Sequence, residues 1–129
     1  FSKEAYNIPN QQVIGSTGPA EYSNGDIIKL AGDVFINDKE GKPLGISSRI
    51  GKRPIFASGN SDGDFAMLEY TTAGPGPSFG MLLHHTDGER EFAYDREGHI
   101  GVLNKGLDES GERGWVIIDM ASDWKQVWP

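Results

Sequence analysis

The 129-residue sequence predicts an α/β fold, a mostly parallel sheet flanked by helices, in a single domain covering residues 1–129. Three observations carry that expectation. Short apolar runs of strand length recur at Ile55-Phe56-Ala57-Ser58, Phe79-Gly80-Met81-Leu82-Leu83 and Trp115-Val116-Ile117-Ile118-Asp119. The segments between them have helical character, as where Phe65, Leu68 and Thr72 fall on one face. No internal repeat and no linker divides the chain. Strands that alternate with helices pair in parallel, because the helix carries the chain back across the sheet.

Taken in order, residues 1–7 read as the end of a helix and residues 12–14 as a short strand. Residues 21–36 form a hairpin-like excursion around Asn24-Gly25, a pair that readily adopts the two positive φ angles of a tight turn. A short helix follows over 43–50, with Pro43 in its first turn, where a missing N–H costs nothing. The strand at 55–58 begins after Pro54 and stops at Gly59, and a polar loop then leads into a helix over 65–72. Gly74-Pro75-Gly76-Pro77 breaks the chain before the strand at 79–83. Helices are expected over 89–94, capped by Thr86 or Asp87, and over 100–113. The strand at 115–119 and an aromatic tail at 124–128 close the chain, with Trp115, Trp124 and Trp128 read as packing residues.

Composition narrows the function. With 36% hydrophobic residues the chain is long enough for one modest core, and its 18 glycines and 7 prolines predict many loops. A net charge of -7, with 12 scattered basic residues, argues against nucleic acid as a partner. No apolar stretch approaches the length of a membrane span. The absence of cysteine excludes disulfides and thiol catalysis and leaves location unknown, a soluble chain either cytoplasmic or exported.

The segment that looks built for chemistry is Asn60-Ser61-Asp62-Gly63-Asp64, at the carboxyl end of the strand at 55–58. In open α/β sheets ligands bind in the crevice at that end. Asn60, Asp62 and Asp64 offer hard oxygen ligands of the kind Mg²⁺ or Ca²⁺ takes, and without Cys or His the set does not suit zinc. Upstream, Lys39 and Lys42 flank the entrance of the helix at 43–50. Pro43 in the first turn puts Lys42 at that entrance, and taken alone both lysines read as solvated loop residues. His84 and His85 follow the strand at 79–83, and His85 is the candidate for contact with a substrate. His99 reads as a surface residue.

Gly59-Asn60-Ser61-Asp62-Gly63-Asp64, with Met67-Leu68 beyond it, resembles the fourth motif of haloacid dehalogenase-like hydrolases of the phosphoserine-phosphatase-like branch, commonly written GDxxxDxxML. The resemblance implies a Rossmann-like core, Mg²⁺ as cofactor and a small phosphorylated substrate. It places Asn60 at the direct metal-ligand position, where the family has Asp, with Asp62 sharing the ligation. It places Asp64 at the second acidic position, which orders the site and meets the motif lysine, for which Lys42 is the first choice and Lys39 the second. The family's nucleophile is the first Asp of an hhhhDxDx(T/V) motif, and no acceptable copy occurs in this chain. Asp62-Gly63-Asp64 has Ala66 at the Thr/Val position, and Asp119 has Ala121 where the second Asp belongs. Ser16 and Thr17 imitate the family's second motif only weakly. The resemblance therefore implies a C-terminal part of a longer phosphatase, inactive alone, with residues 16–37 as a small flap. Two other classes fit parts of the sequence. Ser58 to Glu69 follows part of a calcium-loop pattern, with Ser58 in place of the first Asp. A chain lacking its central strand would also expose unpaired edges, so self-association, or pairing with a missing N-terminal segment, is expected.

Overall fold

The computed structural model describes residues 1–99 and 101–127. Helix α1 (Ser2–Tyr6) ends at Asn7, which takes a left-handed conformation. The hairpin of β1 (Ala20–Ser23) and β2 (Asp26–Lys29) pairs Ser23 with Asp26. Asn24 and Gly25 between them have φ of 51° and 96°, the double positive φ that the dipeptide predicts. A single antiparallel bridge between Thr17 and Phe35 closes the base of this excursion.

Helix α2 (Gly41–Ile50) accommodates Pro43 in its first turn and stops at Gly51, whose φ of 67° favours glycine. Strand β3 (Phe56–Gly59), helix α3 (Phe65–Thr72), strand β4 (Phe79–His84), helix α4 (Lys105–Arg113), strand β5 (Val116–Asp119) and helix α5 (Met120–Asp123) follow. The three later strands form one parallel sheet in the order β3-β4-β5, so the chain is mixed α/β with helices against a parallel sheet.

Alternation along the strands decides where the core sits. Ala57 and Leu82 point to the face covered by α3 and join Phe65, Leu68, Leu103 and Trp115 in one buried cluster. Leu68, Leu82 and Leu103 have no exposed surface. Burying a leucine side chain contributes about 2 kcal/mol. The Trp115 indole meets Phe65 edge-on at 5.1 Å and donates to Thr72 Oγ1 at 2.9 Å, which satisfies its one N–H inside the core. Gly80 lies under that indole, so even a methyl group there would collide with it. On the opposite face Phe56, Phe79 and Val116 are 51, 43 and 40% exposed, and the two phenyl rings stack at 5.8 Å. Strand β3 is an edge of the sheet, with β4 on one side only.

Three sequence expectations are corrected. Residues 12–14 are not a strand; Asn10–Gln12 make a single 3₁₀ turn, and extended pairing begins only at Thr17. Residues 89–94 are not a helix. Asp87 accepts from the backbone N–H groups of Glu89 and Arg90, which makes one turn, and Tyr94 then runs extended to bridge His85. The Asp87-Gly88 pair acts as a turn and not as the cap of a continuing helix. The later helix begins at Lys105, because residues 101–104 are drawn across the acidic loop; Ile100, where it was expected to start, and Trp128, at the end of the aromatic tail, lie outside the described residues.

Among the described residues no helix is long and apolar enough to cross a membrane.

Candidate functional site

Strands β3, β4 and β5 end side by side at Gly59, His84 and Asp119, and the acidic loop leaves the first of these ends. Ser61 and Asp64 cap one another: the Ser61 side chain accepts from the Asp64 backbone, and the Asp64 carboxylate accepts from Ser61 N–H at 3.3 Å. Asp64 Oδ2 also takes the Asn60 N–H at 3.0 Å. The turn is tight enough that a Cβ on Gly59 would overlap the Asp64 side chain, so glycine is required for close approach there.

With Oδ2 held by the loop backbone, the other oxygen of Asp64 faces α2. Lys42 Nζ meets Asp64 Oδ1 at 2.6 Å. Asp64 is buried and the Lys42 side chain is three-quarters so, which places the pair in a setting where a lone charge would be costly. Of the two candidate lysines it is Lys42 whose ammonium reaches the loop. Lys39 holds a left-handed conformation, with φ of 48°, at the turn before α2. Lys42 also lies 3.6 Å from Asp38 Oδ1, a carboxylate that sequence reading missed. Its signal was the four-residue spacing between Asp38 and Lys42.

Asp62 is engaged elsewhere. Its Oδ2 accepts from the backbone N–H groups of Asn104 and Lys105 at 3.1 and 3.0 Å, and its Oδ1 from Gly106 at 2.8 Å. It therefore supplies from 42 to 44 residues away the cap that Asn104 does not give α4. A carboxylate on the first N–H groups of a helix is stabilised by those donors and by the helix dipole.

Asn60 turns its amide nitrogen to Tyr94, donating to the phenol oxygen at 2.6 Å. The Tyr94 ring stacks on His85 at 4.6 Å between centroids, nearly parallel at 18°. His85 Nδ1 lies 2.5 Å from Glu91 Oε2, while His85 Nε2 and Glu91 Oε1 are buried without a hydrogen-bond partner. Burial, with the charge of Glu91 adding to it, pushes the Tyr94 phenol above its ordinary pKa, so it stays protonated. His84 Nε2 is 3.5 Å from Asp95 Oδ2.

One cleft, of 870 Å³, is lined by Asp38, Lys39, the loop residues Asn60 to Gly63, Phe92, Tyr94, His99, Gly101 and Val102. The structure thus gathers Asn60 and Asp62 at the cleft, whereas Lys42, Asp64 and His85 are not among its lining residues; Asp64 reaches it only through the Asn60 and Ser61 N–H groups it accepts from, and His85 only through the Tyr94 ring stacked on it. Tyr94 and Phe92 were not singled out from sequence as lining residues, since a helix over 89–94 would have carried their side chains in other directions; His99, read as a surface residue, is exposed and borders the cleft. Glu69, twelfth in the calcium-loop pattern, pairs with Arg113 at 2.8 Å. Ser16 Oγ accepts from the Asn37 N–H at the base of the hairpin excursion. Among the described residues no group of three or more His, Cys, Asp or Glu side chains is arranged to hold a metal ion.

Chemically, the arrangement sets an ammonium bound to a carboxylate, and a set of hard oxygens, at the carboxyl edge of a parallel sheet. Compared with known proteins, the chain matches no family model and no curated protein.

Proposed function

We propose that these residues form the C-terminal part of a Mg²⁺-dependent phosphomonoester hydrolase of the haloacid dehalogenase-like kind. The observation that carries the reading is the 2.6 Å contact between Lys42 and Asp64, two residues that the motif resemblance pairs and that stand 22 positions apart. In this reading Asp64 holds the Lys42 ammonium in place, and the ammonium offsets charge on the phosphoryl group as it is transferred.

The donors fit Mg²⁺ in kind, being hard oxygens: the amide oxygen of Asn60, with Asp62 and Asp64 beside it. Asp62 spends both oxygens on the start of α4, so the direct-ligand role falls first to Asn60. When bound, Mg²⁺ would supply positive charge against the phosphoryl oxygens. The set is incomplete, and the reading requires a further carboxylate.

That carboxylate is the attacking aspartate, of which this chain has no acceptable motif. The free edge of β3 and the exposed Phe56, Phe79 and Val116 support a further strand and cover contributed by other polypeptide. The aspartate would displace the alcohol from phosphorus to give an aspartyl phosphate, and water would then hydrolyse that acyl phosphate to inorganic phosphate and the free carboxylate, two moderate steps in place of one hard one. The test is hydrolysis of an aromatic phosphate ester with Mg²⁺. The full-length protein should turn it over, Lys42→Met should lower kcat by roughly 100-fold or more, and the 129-residue chain alone should do little or nothing. Brisk turnover by the chain alone overturns the reading.

The same free edge and apolar face favour a second reading, a non-catalytic module that closes its sheet on another copy of itself. Light scattering separates the two: a monomer at micromolar concentration removes the second.

A further inference from the structure

We propose that the cleft takes a small aromatic anion, its ring against Phe92, Tyr94 and His99 and its charge at Lys39; no metal ion enters this assignment, and it does not rest on the hydrolase reading. Cavities of roughly 300–1,000 Å³ that hold small ligands are lined by apolar and aromatic groups, with a few polar ones that orient the guest. The 870 Å³ cleft has that make-up, since three rings within residues 92–99 share its lining with the polar loop Asn60 to Gly63.

Phe92 carries the aromatic half of the assignment. Its side chain is 82% exposed, and its one ring contact among the described residues is a tilted one with Tyr94, 6.4 Å between centroids. Tyr94 is held more firmly: His85 lies on its ring at 4.6 Å, and the Asn60 side chain is hydrogen-bonded to its hydroxyl at 2.6 Å. A fixed ring beside an exposed one offers area for stacking at little cost in side-chain freedom. A planar guest would take Phe92 out of water.

Lys39 sets the sign of the guest's charge. Of the acids that line the cleft, Asp38 lies 3.6 Å from the Lys42 ammonium and Asp62 accepts from three N–H groups at the start of α4. Lys39 is exposed at the cleft, and among the described residues its ammonium has no ion-pair or hydrogen-bond partner. Its backbone φ of 48° is one that asparagine or glycine adopts more readily, so the turn itself does not call for lysine. An uncommitted ammonium near an aromatic wall suits a ring that bears an anionic group.

The experiment titrates the full-length protein, in EDTA to remove divalent cations, with phenylphosphonate, methylphosphonate and phenol, none of which a phosphatase can hydrolyse, and follows binding by NMR. Phenylphosphonate should bind roughly tenfold or more tightly than either probe that lacks the ring or the charge. Phe92→Ala should weaken phenylphosphonate about tenfold and leave methylphosphonate unchanged, whereas Lys39→Gln should weaken both phosphonates and spare phenol. Both side chains are exposed, so neither change removes core packing. Equal affinities for the two phosphonates, or a phenylphosphonate affinity that neither substitution lowers, overturns the proposal.

Discussion

Asp62 Oδ1 accepts the backbone N–H of Gly106 at 2.8 Å, so an acid from the loop after β3 begins a helix 44 residues further along the chain. Gly106 permits the approach, since a Cβ there would press on Leu103 and Leu82 in the core. The loop and α4 are consequently one unit, and a change in either is felt in both.

Asp62→Ala leaves the N–H groups of Asn104, Lys105 and Gly106, at the start of α4, without this acceptor. It should cost about 1–2 kcal/mol, while Asp62→Asn, which keeps one accepting oxygen, should cost less. Urea unfolding followed by tryptophan emission measures both. An Asp62→Ala protein as stable as the parent would show that the cap contributes nothing.

Lys42→Met removes the cation from a buried carboxylate, and Asp64 keeps the Asn60 and Ser61 N–H groups and the Ser61 hydroxyl, all on Oδ2. Lys42 retains some solvent exposure, so the expected loss is about 2 kcal/mol, below that of a fully buried pair. Neutralising the partner as well, in Lys42→Met with Asp64→Asn, should restore part of that loss. The double-mutant cycle reads the coupling directly, and additive losses would mean the two groups do not interact.

Acid should loosen the carboxyl edge of the sheet. The Thr86 hydroxyl, together with the Ser122 backbone N–H, holds Asp119 below the usual 3.8, and a hydrogen bond from Arg96 does the same for Asp108. A carboxylate lowered in the folded state binds fewer protons there than in the unfolded chain. Its stabilisation is therefore complete above 3.8 and drains away as pH falls through the lower folded value. Asp119→Asn should make the acid limb of a stability curve shallower, and an unchanged limb would contradict this account.

Much of the fold was legible because its signals are local. Asn24-Gly25 can make its turn without help, Pro43 and Gly51 bracket α2 from within, and the apolar runs of β3, β4 and β5 carry their own period. The expected helix over 89–94 failed for a complementary reason. Arg90 does not lie along a helix but reaches the carbonyls of Met120, Ala121 and Trp124, 30 to 34 residues away, and thereby ties down the end of α5. Nothing within residues 89–94 could show that the Arg90 cation was committed to a distant helix end. The strand expected at 12–14 likewise had no partner to pair with, and an isolated strand gains nothing from its own sequence.

The sequence by itself determined that oxygen-bearing side chains cluster where a buried strand gives way to a helix, and that a lysine stands at the entrance of an earlier helix. The motif resemblance already set Asp64 against Lys42, and only the tertiary structure decided where the others go: Asp62 to the start of α4, Asn60 to Tyr94. Spacing along a chain states which groups a segment carries and which direction they leave it. The partner of each is chosen by elements that meet only after folding, where a buried polar group must find a complement or bear the cost of having none.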